Sequence, residues 1–228
     1  MKIVILAAGK GERFGGEVPK PLIKFNGRTM LDWVIADIGA SGGMYKEDII
    51  VVTQKSFGIK GEFTTVELDS FTEGPACTAM LALNKVRFDE ELIVVNCDQR
   101  MLDFSPHKLS LYAKINGLSG ILGVFNSHKP HNSYVNLDQD NLIAYVKEKR
   151  VISNLATTGI HYWKSVDLFK SSFADMVLSN DRVNGEFYIS QTYNYLIKNG
   201  HRIGPYHSNF HYPIGTPEDL QNFIRMGV

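Results

Sequence analysis

Apolar residues fall into short runs of strand length at Lys2–Ala7, Asp48–Thr53, Phe63–Leu68, Leu92–Asn96 and Ser119–Phe125, separated by polar or glycine-containing sequence. Between the first two, Met30, Leu31, Val34, Ile35 and Ile38 recur at helical spacing, which predicts a helix over Thr29–Ile38. Ala76–Leu83 and Pro106–Ile115 carry similar helical patterns. This alternation predicts an α/β fold with a mixed, mainly parallel sheet flanked by helices on both faces. After Phe125 the pattern becomes extended at Ser133–Asp138, Leu142–Lys147 and Ala156–Trp163, then helical at Val166–Leu178 and Tyr188–Lys198. The second half therefore adds an excursion to the sheet. A last helix is expected to start at Thr216, whose hydroxyl can cap it, with Pro217 in its first turn and Glu218 and Asp219 near the positive end of its dipole. No repeat, low-complexity tract or linker interrupts the pattern, so we expect one domain over residues 1–228.

Composition narrows the functional classes. The 24 Lys and Arg balance 24 Asp and Glu, so there is no global basic field of the kind that draws a protein to nucleic acid or anionic membrane. Any polyanion must be met locally. The longest apolar stretches fall far short of the roughly 20 residues of a membrane span, and the run after Met1 is too short for the apolar region of a signal peptide. Cys77 and Cys97 have neither the number nor the spacing of a disulfide framework or a zinc site. These features predict a cytosolic location.

The strongest chemical signal follows the first strand: Leu6-Ala7-Ala8-Gly9-Lys10-Gly11-Glu12-Arg13-Phe14, then Pro19-Lys20-Pro21-Leu22. Glycines directly after a strand let backbone N–H groups approach a phosphate chain, and Arg13 and Lys20 bring the charge such a chain demands. A dinucleotide fingerprint would need glycine where Phe14 stands, and the GK[ST] of a P-loop is absent from the segment. On spacing alone, a strand-end turn with two structural glycines and solvated charges fits as well as a phosphate site.

The ordered pattern LAxGxGxRxxxxxPKPL resembles the signature of the sugar-1-phosphate nucleotidylyltransferases, members of the NTP-transferase superfamily with a GT-A-like, Rossmann-like fold. Carried onto this chain, the resemblance implies that Ala7, Ala8, Gly9 and Gly11 hold a nucleoside triphosphate. Arg13 would contact its phosphates and Lys20 the phosphate in the transition state. Thr72-Glu73-Gly74-Pro75-Ala76 is similar to the segment that reads the base by close backbone contact, with Gly74 as its candidate. Asp98, just past the run Leu92–Asn96, would coordinate Mg²⁺. In the second half, Glu148-Lys149, Ser153-Asn154 and Ala156-Thr157-Thr158-Gly159 resemble the acceptor segment EKPxxxxSNxAxTG, and Asn184-Gly185-Glu186-Phe187-Tyr188-Ile189-Ser190 resembles GELEIT. Glu148, Lys149, Thr158, Gly159 and Glu186 would then face a phosphorylated acceptor. The implied partners are an NTP, with Ala8 favouring a pyrimidine base, and a sugar 1-phosphate; any homo-oligomer would form through the domain itself.

One departure stands out. Thymidylyl and related members place a second metal-binding Asp two residues before a Gly-Thr, where this chain has Pro213 ahead of Gly215-Thr216. His211 and Asp219 are the nearest substitutes; otherwise the metal rests on Asp98 and the triphosphate. A further departure is the expected lack of an acetyltransferase domain after the last helix. Competing readings are a cytidylyltransferase acting on a small non-sugar phosphate such as phosphocholine, a non-catalytic nucleotide-binding homologue, and a sugar-transferring GT-A enzyme. For the first, Tyr162, Trp163, Phe187 and Tyr188 could cage a quaternary ammonium, although they fit a hydrophobic core better. Retained Lys20 and Asp98 argue against the second. The third would carry an Asp-x-Asp, which Asp98-Gln99-Arg100 is not.

Overall fold

A computed structural model of the chain describes residues 1–40, 42, 46–84, 86–208 and 210–227. Its centre is a twisted sheet of nine strands. Strands β1 (Lys2–Ala7), β4 (Ile49–Gln54), β5 (Thr64–Leu68) and β6 (Leu92–Asn96) run parallel in the spatial order β5-β4-β1-β6. All six positions of β4 are buried, as expected where helices cover both faces. The sheet then changes character. Strand β11 (Leu155–Trp163) lies antiparallel to β6 and on its other side pairs with β8 (Gly120–Asn126) and β9 (Tyr134–Leu137). Strand β9 carries the edge strand β10 (Ile143–Lys147), and β8 carries β12 (Ile203–His207).

Two layers of helices cover the sheet. Helices α1 (Met30–Ala40) and α3 (Pro106–Ile115) pack Leu31, Val34, Ile38, Leu109 and Ala113 onto Ile3, Ile5, Val51, Ile93 and Val95. On the opposite face, α2 (Pro75–Ala82), α4 (Val166–Leu178) and α5 (Ile189–Lys198) meet Val4, Val52, Val94 and Leu122 through Ala76, Ala79, Phe169, Met176, Tyr193 and Leu196. Alternate residues of each central strand thus feed opposite layers. Helix α6 (Pro217–Met226) starts at Thr216 as expected, the Thr216 hydroxyl accepting from Asp219 N–H at 3.1 Å. It packs Leu220 and Phe223 against Phe25, Met30 and Ile214 in a smaller third cluster. No described helix is long and apolar enough to cross a membrane. Both cysteines are free thiols, and burial pushes Cys97 up to about 12.

Two small ribbons complete the architecture. Strands β2 (Lys24–Phe25) and β3 (Arg28–Thr29) form a hairpin whose Asn26 and Gly27 both have positive φ, 47° and 81°. Strands β7 (Gln99–Met101) and β13 (His211–Pro213) pair antiparallel just beyond the end of β6. Behind β7, the guanidinium of Arg100 grips the Asp37 carboxylate at 2.8 and 2.9 Å, with Trp33 covering it at 4.1 Å from the ring centre.

Candidate active site

The carboxyl ends of β1, β4 and β6 open onto one side of the sheet, where α/β proteins bind ligands. The irregular start of β11 faces them. A cavity of about 660 Å³ lies there, lined from both halves of the chain.

The glycine-rich loop forms one wall. Gly11 takes φ +78° and starts a tight turn in which Phe14 N–H donates to Gly11 O at 2.8 Å. A Cβ on Gly11 would stand 3.0 Å from both Lys20 N and Val18 O, because the loop folds back on the Pro-Lys-Pro turn. Lys20 N–H donates to Gly9 O at 3.3 Å, so the two halves of the sequence motif form one unit. Ala8, Gly9, Gly11, Arg13 and Lys20 all line the cavity. Ala7 does not: it is fully buried in the layer under α1, where it ends β1.

At the centre, Lys20 Nζ donates to Asp98 Oδ2 at 2.7 Å, the two side chains being 24% and 23% exposed. Asp98 holds the Lys20 ammonium above its usual range against the opposing effect of burial. Burial alone would push the Asp98 carboxyl up, but Lys20 outweighs it and the net shift is down. Both groups are therefore charged at neutral pH. Asp98 is fixed by Ile214 N–H, which donates to its carbonyl at 3.0 Å, and by the ribbon β7–β13. Gly215 must lack a side chain here, since its Cβ would lie 2.7 Å from Asp98 Oδ2.

The substitutes for the missing second carboxylate are committed elsewhere. His211 Nε2 pairs with Gln99 Oε1 at 3.0 Å and its ring packs on Phe125; burial pushes it down to about 4, so it is neutral. Asp219 accepts from Lys129 Nζ at 2.5 Å and from the Thr216 hydroxyl at 2.8 Å. Among the described residues no group of three or more His, Cys, Asp or Glu is arranged to hold a metal. Asp98 has the hard oxygen that suits Mg²⁺, which commonly retains several waters. The residues thus fit a cation held by one protein carboxylate and by the ligand's own phosphates.

The second half supplies the opposite wall. Glu148 and Lys149 follow β10, whose outer edge is tied to α5 at the buried Val146, where Asn194 bonds the backbone N–H and C=O at 2.8 and 3.0 Å. Glu148 accepts from the hydroxyls of Ser133 and Ser190, and burial raises its pKa despite them. Thr158 and Gly159 sit where β11 shifts register against β8. Gly159, at φ +80°, leaves room for the Asn96 amide, which a Cβ would meet at 2.7 Å. Glu186 lines the cavity beside Tyr188, and Gly74 packs so closely on Phe187 that a Cβ would be 2.5 Å from its carbonyl oxygen. The structure thus gathers Gly74, Asp98, Glu148, Lys149, Thr158, Gly159 and Glu186 around the same cavity as Arg13 and Lys20.

Besides Ala7, a second residue departs from its expected setting. Tyr162, Trp163 and Phe187 belong to the core as their composition suggests, but Tyr188 lines the cavity. Its position just before α5, where the chain turns out of the sheet face, is a tertiary matter that its aromatic character does not reveal. Asn96, Gln99 and Gly215 were also missed as lining residues, although Gly215 lies within the flagged Gly-Thr.

The α/β sheet thus brings a glycine-rich loop, a central Lys–Asp pair and a second polar wall to one cavity. Residues 3–106 match the MobA-like NTP transferase domain. The bifunctional protein GlmU of Lactobacillus johnsonii is 27% identical over 218 residues, covering 90% of this chain and 46% of that protein. The chain spans about half the length of the curated relatives it matches. Among solved structures, the nucleoside-diphosphate-sugar pyrophosphorylase of Vibrio cholerae RC9 superposes with a TM-score of 0.82 at 23% identity, covering 98% of this chain and 99% of the other. A UDP-glucose pyrophosphorylase solved with UDP-glucose superposes at 0.78 with 17% identity, over 100% and 99% of the two chains. The first half of the chain is thus similar to the MobA-like NTP transferase domain, and along its whole length the chain shares the fold of these solved structures.

Proposed function

We propose that residues 1–228 form one catalytic domain that transfers a nucleoside monophosphate from an NTP to a sugar 1-phosphate and releases pyrophosphate. The observation that carries this reading is the convergence of two walls on one cavity: a phosphate-type loop with Arg13 and Lys20 from the first half, and Glu148, Lys149 and Glu186 from the second. An oxygen of the acceptor phosphate attacks the α-phosphorus in line, a new P–O bond forms, and the bond to the β-phosphate breaks. No covalent enzyme intermediate is needed, so catalysis consists of aligning two anions and offsetting the charge that develops on the leaving group.

Each wall has a share in that work. Backbone N–H groups of Ala8, Gly9 and Gly11 cradle the phosphates, Gly74 admits the base to close backbone contact, and Arg13 faces the pyrophosphate. Lys20 is neutralised by Asp98 before substrate arrives, and an incoming phosphate competes for its ammonium. Asp98 would hold Mg²⁺, which when bound neutralises phosphate charge. Lys149 meets the acceptor phosphate, while Glu148, Thr158, Gly159 and Glu186 meet its hydroxyls. The substrates favour a cytosolic reaction. The small residues Ala8 and Gly9 favour a pyrimidine nucleotide, and nucleotide-activated sugar for polysaccharide or glycoconjugate synthesis is the expected product.

The test is a pyrophosphate-release assay crossing ATP, GTP, CTP, UTP and dTTP with a panel of sugar 1-phosphates, phosphocholine and other small phosphomonoesters, with and without Mg²⁺. Release that requires both an NTP and a sugar 1-phosphate supports the reading. Release with phosphocholine alone moves the acceptor to the non-sugar class, and no release with any pair rejects catalysis of this type.

A further inference from the structure

Lys149 begins from an uncommon backbone. It takes φ +53° in the turn after β10, a conformation that non-glycine residues adopt only where the surroundings compensate. Its side chain is held as well: the ammonium donates to the Tyr188 hydroxyl and lies 4.3 Å from the centre of the same ring. The Tyr188 hydroxyl in turn donates to the Glu186 carboxylate. Tyr188 is itself anchored, because its backbone N–H donates to the Gln191 side chain at 3.4 Å as α5 begins.

The order of groups in this chain of hydrogen bonds matters. A lysine placed directly on Glu186 would have its charge compensated before any ligand arrived. A neutral phenol between them keeps the ammonium in place while leaving more of its charge available to an anion. Burial, reinforced by Glu186, raises the Tyr188 pKa, so the phenol stays protonated and can donate at any working pH. Lys149, Tyr188 and Glu186 all line the cavity, together with Glu148 and Arg13.

We propose that Tyr188 is a positioning residue that holds the Lys149 ammonium, through its hydroxyl and ring face, ready for the phosphate of the acceptor. The inference rests on the assignment of Lys149 to the acceptor under Proposed function and adds the group through which that lysine is aimed.

The experiment uses the full chain and four variants: Tyr188→Phe, Tyr188→Leu, Lys149→Ala and the double variant Lys149→Ala/Tyr188→Phe. With the best NTP and acceptor from the pyrophosphate screen, Tyr188→Phe should raise the acceptor KM about tenfold while kcat changes by less than about threefold. NTP affinity measured by calorimetry should stay within about twofold of wild type, as expected for a residue that does not touch the nucleotide. Tyr188→Leu, which also removes the ring face, should lose more. The double variant should be no worse than Lys149→Ala, because Tyr188 acts through that lysine. Effects of Tyr188→Phe and Lys149→Ala that multiply, or an unchanged acceptor KM in Tyr188→Phe, overturn the proposal.

A second readout needs no turnover. With ¹³C-labelled lysine, the Lys149 ε-methylene should show restricted motion in wild type and fast motion in Tyr188→Phe. Equal motion in both overturns the positioning role. An enzyme inactive with every acceptor but with this difference intact would reject the proposed reaction and leave the relay standing.

Discussion

At the scale of single residues, the Lys20–Asp98 pair governs the site because each group fixes the charge of the other. The two side chains meet at 2.7 Å and lie about a quarter exposed, so the pair is worth more than a surface ion pair and less than a fully enclosed one. Lys20→Ala should lower kcat by about 10²-fold or more, the usual loss for a charge-assisted contact formed mainly in the transition state. Asp98→Asn should lower activity and raise the Mg²⁺ concentration needed. The two substitutions should also be coupled in stability: denaturant unfolding of both singles and the double should give an interaction of about 1 kcal/mol. Additive stabilities together with near-wild-type turnover in Lys20→Ala would remove the pair from the mechanism. The pairing itself was not legible in the sequence. Lys20 and Asp98 were each identified by motif, but 78 positions separate them, and only the closing of the loop over the end of β6 brings them together.

At the scale of elements, the two walls are joined by direct backbone contact. Phe187 N–H donates to Glu73 O at 2.9 Å, and Ala76 N–H, in the first turn of α2, donates to Phe187 O at 3.1 Å. Arg182 adds a clasp to Glu73 while its guanidinium lies 3.9 Å from the Phe187 ring centre. The segment expected to read the base and the segment expected to meet the acceptor are therefore joined by hydrogen bonds and a cation–π contact. Gly74 makes this possible, since it has φ +132° and no room for a Cβ. Gly74→Ala should destabilise the domain by at least about 2 kcal/mol, from backbone strain plus overpacking. Gly117, at φ +61° with open space around it, is the control; Gly117→Ala should cost only about 1 kcal/mol. Equal losses in chemical denaturation would mean that the contact with Phe187 carries no energy. Element positions were largely readable from periodicity, and β1 was expected over the very residues it occupies. The strand β12 was not, because Gly204 and Pro205 weaken its pattern; it survives at a sheet edge, where a missing N–H is tolerated.

For the whole molecule, the clearest consequence of the packing is a sensitivity to acid. His161 lies within the layer of Trp163 and Tyr193, and burial pushes it down from 6.5 to about 3; His211 falls to about 4. Between those values and 6.5 the unfolded chain binds protons that the folded chain refuses. Stability should therefore fall as pH drops from about 6.5 toward 4, by up to about 1.4 kcal/mol per pH unit for each histidine. Glu148, raised by burial, acts in the opposite sense above its unfolded value, so a difference measurement is needed to isolate the histidine. The slope of unfolding free energy against pH should be shallower in His161→Phe, a variant that keeps the stacked ring. An identical slope in wild type and variant would show that His161 does not carry the effect.

The sequence by itself determined the alternation of strands and helices, the glycine loop with its basic partners, and, through its motifs, Gly74, Asp98, Glu148, Lys149, Thr158, Gly159 and Glu186 among the cavity residues. Those features are local: periodicity records which face of an element is buried, and the glycine, proline and charged positions of a turn act within a few residues of one another. Tertiary structure decided the rest. It put Ala7 in the core and Tyr188 in the cavity, committed His211 to Gln99 and Asp219 to Lys129, and set Lys20 on Asp98 and Lys149 on Tyr188. Each of these depends on which distant segment arrives at a given side chain, and that is fixed by sheet order and register, particularly where β11 meets β6 and changes register against β8. Hydrophobic pattern specifies that a strand is buried without naming its neighbour; the neighbour is chosen when the whole core packs, and with it the partner of every charged group at the end of the sheet.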